Sequence, residues 1–161
     1  MTIYIGQLPA CLRNIHDDGR SSRELLDVLE KKHVALLARH LFERDANTLP
    51  QSGTPYHFLA TVAGELPNWA RLNPDQAFSA ATKAYGQIGK PSLRSVLFLM
   101  ERMATERFWA DIFVMREVVD DHGGPAFVQL GYEHDEGVPW LAAVPASHTF
   151  KFDSEMILFL A

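Results

Sequence analysis

At 161 residues the chain is long enough to bury one core, and its 47% apolar and 22% charged content excludes wholesale disorder. A net charge of −5, with 15 scattered Lys and Arg, lacks the basic stripe that nucleic acid or anionic lipid would recruit. The single cysteine, Cys11, excludes an internal disulfide and a thiolate metal cluster, which makes a cytoplasmic protein the expectation.

In chain order, Thr2–Ile5 is a short β-branched and aromatic run ended by Gly6, and it predicts a first strand. Residues 6–22 mix turn formers with isolated apolar residues and predict a connection. Within it Leu8–Cys11 resembles a lipoprotein cleavage box, but no basic residue precedes Cys11 and the preceding run is too short and polar for a secretory signal. Ser21 or Ser22 then caps a long amphipathic helix over 23–45, in which Leu25, Leu26, Leu29, Leu36, Leu37, Leu41 and Phe42 recur at helical spacing. Thr54-Pro55 predicts a second helix with Tyr56, Leu59, Val62 and Ala63 on its apolar face. Asn73-Pro74-Asp75 repeats the start signal for a third, stopped by Gly89. Ser92 caps a fourth that runs to about Phe108.

Between Phe108 and Val119 two patterns compete: Phe108, Ile112, Met115 and Val119 continue the helical stripe, while the β-rich composition favours a strand from about Ile112, which is the expectation. After Gly124 the texture changes plainly. Ile112–Val119, Ala126–Glu133, Val138–Val144, His148–Phe152 and Met156–Ala161 are short β-prone runs separated by turn residues, which predicts an antiparallel meander. The expected fold is therefore α+β: a helical N-terminal two-thirds of about four helices packed on a C-terminal antiparallel β-meander, in one domain over residues 1–161.

Few residues point to chemistry. Asp120, Asp121 and His122 open "DDHGGP", where Asp and paired Gly suit a hairpin turn and only His122 is left over. In a meander, successive turns lie at opposite ends of the sheet. Glu133, His134, Asp135 and Glu136 would then sit more than ~20 Å from His122 at ~3.3 Å per residue. His148 would return to the His122 end. Any metal site would use Asp120, His122 and His148, with Asp121 beside them for acid/base work, although none of the familiar metal spacings is present. His33 and His40 lie about 10 Å apart along one predicted helix, too far to share an ion. No phosphate loop, nucleophile elbow or dinucleotide turn occurs, and no cofactor is expected. Trp69, between Pro67 and Pro74 and beside Arg71, has the composition of a protein-binding anchor.

Three functional expectations result. The first is a small acidic protein-binding module without catalysis. Immunity and antitoxin proteins share this size and charge, and the module would meet a basic protein partner through Trp69, Arg71, Asp120, Asp121, His122, Glu133, Asp135 and Glu136. It predicts an exposed apolar patch rimmed by Asp and Glu. The second is a metal-dependent or acid/base enzyme built on Asp120, Asp121, His122 and His148. The third is a small-molecule binding or sensing domain.

Overall fold

The structure of the protein, a computed structural model, describes residues 8–37, 39–45, 53, 55–119, 122–133 and 135–160. In chain order the described elements are α1 (Ala10–Arg13), β1 (Asn14–His16), α2 (Ser22–Lys31), β2 (Ala35–Leu36), α3 (Arg39–Asp45) and β3 (Pro55–Val62). Two single-turn 3₁₀ segments, Ala63–Glu65 and Trp69–Arg71, precede α4 (Pro74–Tyr85) and α5 (Leu93–Glu106). The chain ends in β4 (Ile112–Val119), β5 (Pro125–Glu133), β6 (Val138–Pro145) and β7 (Met156–Leu160). The seven strands form one sheet in the order β1-β3-β7-β4-β5-β6-β2.

This arrangement overturns the expected helical block on an antiparallel meander. β1, β2 and β3 all lie in the first 62 residues, and two of the strand pairs, β2 with β6 and β4 with β7, are parallel. The clearest reversal is the second predicted helix, which is β3. Its residues bury in alternation, with Tyr56, Phe58 and Ala60 on one face and Leu59 and Thr61 on the other, so the strand period of two prevails over the coincidental spacing of Tyr56, Leu59 and Val62. Pro55 does not start a helix but sits exposed at the first position of the strand, opposite His16.

The long helix over 23–45 is also divided. α2 ends in a Schellman motif: His33 donates to the Glu30 carbonyl (3.0 Å) and Val34 to the Leu29 carbonyl (3.0 Å). His33 itself takes the left-handed conformation, φ 64°, that glycine usually supplies. Leu36, read as part of the helical stripe, therefore belongs to β2. The third and fourth helices occur as read. Asn73 and Gln76 close a reciprocal capping box on α4, and Ser92 caps α5 through the Ser95 amide (3.1 Å). α4 ends at Gly86, φ 84°; Gly89 instead exchanges two backbone hydrogen bonds with Leu160.

The tail is a meander only as far as β6. His148–Phe152 is a loop, and β7 then enters the middle of the sheet, antiparallel to β3 and parallel to β4. Four of its five residues are buried because both faces of a central strand are covered, which is what an unbroken apolar run without alternation encodes. The predicted strand Thr2–Ile5 lies outside the described residues.

Two cores result. α1, α2 and α5 cover one face of the sheet, where Val96, Leu97, Leu99 and Met100 meet Val114, Val128, Leu130, Leu141 and Leu158. Each such side chain contributes about 1.5–3 kcal/mol by leaving water. On the opposite face α4 covers β3, β7 and β4, with Ala77 and Ala81 above Phe113, Met115, Ile157 and Phe159. The loop after β6 folds back over this face and lays Phe150 edge-on to Phe113, ring centroids 5.0 Å apart.

β6 carries a proline at each end. Leu141 turns its carbonyl toward β2, accepting from Leu37 (2.9 Å). Pro139 and Pro145 share its parity, so both rings face away from β5 and remove no hydrogen bond from the β5–β6 ladder.

Candidate functional site

The buried residues of the second core end at β4 on this side, with Val144 of β6 packed at their margin, and the candidate site lies beyond. Phe113 on β4 opposes Gln129 on β5, which opposes Ala142 on β6, and this row carries the α4 face onward past the edge of α4. Pairing of Ala35 with Trp140 places Ala35 and, two residues on, Leu37 on the same side. Together with Val138, Trp140, Ala142 and Val144 they form a shallow groove of about 410 Å³ over β5, β6 and β2, lined also by Gln129 and, at the β5–β6 turn, by Glu133 and Glu136. Leu37 is 53% exposed, one of two large apolar side chains left most open to water among the described residues.

A glycine shapes this groove. Gly131 stands directly across from Trp140, and a Cβ there would collide with the indole ring. Without it the indole ring occupies the space over Gly131, and Trp140 lines the groove there. The opposite face of the same strands is filled by Leu130, Leu141 and Leu36 against α2 and α5. One side of β5–β6–β2 is thus core; on the other, Phe127 is buried and Val144 half-buried at one end, and the stretch from Ala142 to Val138 is open among the described residues.

Of the sequence-predicted residues, Glu133, Asp135 and Glu136 are exposed on the β5–β6 turn, and Glu133 and Glu136 line the groove. Trp69 is half-buried against the second core in its 3₁₀ turn and Arg71 is exposed beside it; neither lines the groove. His122 is exposed in the β4–β5 turn, while Asp120 and Asp121 lie outside the described residues, as does His134. The expectation that His148 returns to the His122 end holds for its backbone only. The chain reverses after Pro145, and the imidazole lies tilted over Phe113, 5.1 Å between centroids and six positions from the Val119 end of β4. Among the described residues no three His, Cys, Asp or Glu side chains are grouped to hold a metal ion.

Sequence reasoning missed a second polar feature, buried in the first core. Asp17, at 1% exposure, accepts from the Gly19 amide (2.9 Å) and Arg94 Nη2 (2.7 Å) on Oδ1, and from Arg94 Nε (2.5 Å) and the Tyr56 hydroxyl (2.8 Å) on Oδ2. Arg94 is 2% exposed and also lies over the Phe98 ring. Burial opposes ionisation of Asp17, but the Arg94, Gly19 and Tyr56 hydrogen bonds outweigh it and pull the carboxyl down to about 2. Burial, reinforced by the same carboxylate, pushes the Tyr56 hydroxyl up to about 12. Both carboxylate oxygens are filled, so the group has no capacity left to take a proton from a substrate. Its role is to tie β1 and β3 to α5. The signal was a lone charge, Arg94, within the apolar run of α5.

This pair makes stability acid-dependent. Asp17 has an unfolded value near 3.8 and a folded value of about 2. The stabilisation is complete above pH ~4 and is lost as pH falls toward ~2, at 1.36 kcal/mol per unit, about 2 kcal/mol in all. Unfolding free energies from urea titrations at pH 5, 3 and 2 are expected to fall by that amount over the range in the wild type and by less in Asp17→Asn. Parallel curves for the two proteins would place the acid sensitivity elsewhere.

No known protein family, curated protein or solved structure matches this chain. Among the described residues no helix is long and apolar enough to cross a membrane.

Proposed function

We propose that the chain is a protein-binding module of the immunity or antitoxin kind, acting without catalysis and docking a partner on the uncovered face of β5–β6–β2. The observation that carries this reading is the groove itself: an apolar floor of Trp140, Val138, Ala142 and Val144 with carboxylates, Glu133 and Glu136, at its rim. An aromatic anchor within a desolvated centre and a charged margin is the usual division of labour at protein interfaces. The rim and the net charge of −5 select the partner chemistry, an apolar side chain flanked by Lys or Arg. The saturation of Asp17 and the position of His148 on Phe113 support the non-catalytic half of the reading.

The test is site-resolved cross-linking in the native host. A photoreactive residue at Ala142 should capture one protein stoichiometrically, and the same residue at Ser79 on α4 should not. Trp140→Ala should weaken capture at least 30-fold, the ~2 kcal/mol of an interface anchor. Raised salt should slow association. Capture that ignores Trp140→Ala, or that is equal at both positions, would refute the assignment of this face.

A further inference from the structure

The chain carries a segment of the partner chemistry that its own groove selects. Phe152 is 63% exposed, the more open of the two large exposed apolar side chains among the described residues, and stands between exposed Lys151 and exposed Asp153, so that Lys151 is its basic flank. Phe150, two residues earlier, is buried against Phe113; the chain bends at Lys151 between them, and Phe152 is left facing water.

The tip is built to hold that position. Glu155 is buried, and its carboxylate accepts from the backbone amides of Lys151 (2.9 Å) and Phe152 (3.4 Å). The Glu155 and Asp153 carbonyls in turn accept from Ala63 (2.7 Å) and Gly64 (2.9 Å). Gly64 also has no room for a side chain against Asp153. A loop fixed in this way presents its aromatic ring with little ordering cost left for binding.

Tip and groove also share one end of the sheet. Met156, just past the tip, pairs with Ile112, Ile112 pairs with Leu130, and the Glu133–Val138 turn lies three residues further along the same direction. A twofold axis beside that end satisfies both contacts at once, plug to socket and socket to plug, and closes the assembly at two copies.

We propose that the free protein forms a symmetric dimer in which Phe152 of each copy seats on the Trp140 groove of the other, with Lys151 meeting Glu133 and Glu136. This rests on the reading of the β5–β6–β2 face as a docking surface and names its resting occupant as a second copy of the chain. A partner protein would then have to displace that copy.

Sedimentation equilibrium of the full chain from micromolar to several hundred micromolar is the test. A monomer–dimer equilibrium is expected, and Phe152→Asp and Trp140→Ala should each raise its dissociation constant at least tenfold. Lys151→Glu should weaken it, and Lys151→Glu combined with Glu133→Lys and Glu136→Lys should restore it. Phe152 belongs to neither hydrophobic core among the described residues, so Phe152→Asp should melt with the wild type and keep its groove intact. A wild type that is monomeric throughout, or a dimer indifferent to Phe152→Asp, overturns self-pairing. Cross-linking from Ala142 in the Phe152→Asp chain then decides the docking reading by itself, because that chain retains the socket and lacks only the plug.

Discussion

Arg94→Met is expected to destabilise the fold by about 3–5 kcal/mol, among the largest effects of any single substitution in this protein. The side chain has almost no access to water, and both Nε and Nη2 bond the equally buried Asp17 carboxylate. Methionine fills much of the same volume, so the loss is not a cavity effect. It is the cost of leaving a carboxylate in the core with only the Gly19 amide and Tyr56 hydroxyl to stabilise it. Asp17 would recover part of the cost by taking up a proton, so the variant's stability should rise as pH is lowered from 7 toward 5, whereas the wild type stays level over that range. The double variant Asp17→Leu/Arg94→Met removes both charges together and should recover most of the deficit, since apolar replacement of a whole buried pair is often neutral. Chemical denaturation of the two singles and the double measures the coupling. A single-variant loss under about 1 kcal/mol would show that water reaches the carboxylate.

Phe113→Ala should cost about 3–5 kcal/mol through a different mechanism, the void left by a fully buried ring. For a chain of this size that corresponds to a fall in Tm of about 10 °C or more. Phe113 is the foothold of the returning loop: Phe150 meets its edge at 5.0 Å and the His148 ring tilts over it at 5.1 Å. Its removal should therefore also raise amide exchange at residues 146–152 well above the change seen in α5, which packs on the other side of the sheet. Uniform acceleration across both faces would mean that the loop is held by contacts other than this ring.

The parts of the fold legible in the sequence were those encoded over a few neighbouring residues. The α4 capping box, the α5 cap and the β4–β5 and β5–β6 hairpins each announce themselves within one turn of chain. The misread parts depend on partners far away. β3 looks helical until Tyr56 is seen to need Asp17 and Leu59 to need Phe159 across the β7 pairing. β7 looks like a last meander strand until Phe58 and Val114 flank it from opposite sides. The break after α2 was hidden for a third reason, because the left-handed position is held by His33 and no glycine marks it. As for the site, Glu133 and Glu136 were legible as exposed turn carboxylates. Trp140 was not, since its exposure follows from the end of α4 coverage at β4 and from the empty Cβ position of Gly131.

The two prolines of β6 bear on how the molecule survives at high concentration. With the ring nitrogens of Pro139 and Pro145 both turned away from β5 and, among the described residues, β2 pairing at Trp140 and Leu141, that border has too few consecutive donors to template another chain. An apolar, tryptophan-bearing surface can thus remain open to water without the strands beneath it growing into fibrils, and any association it makes goes through side chains and stays reversible.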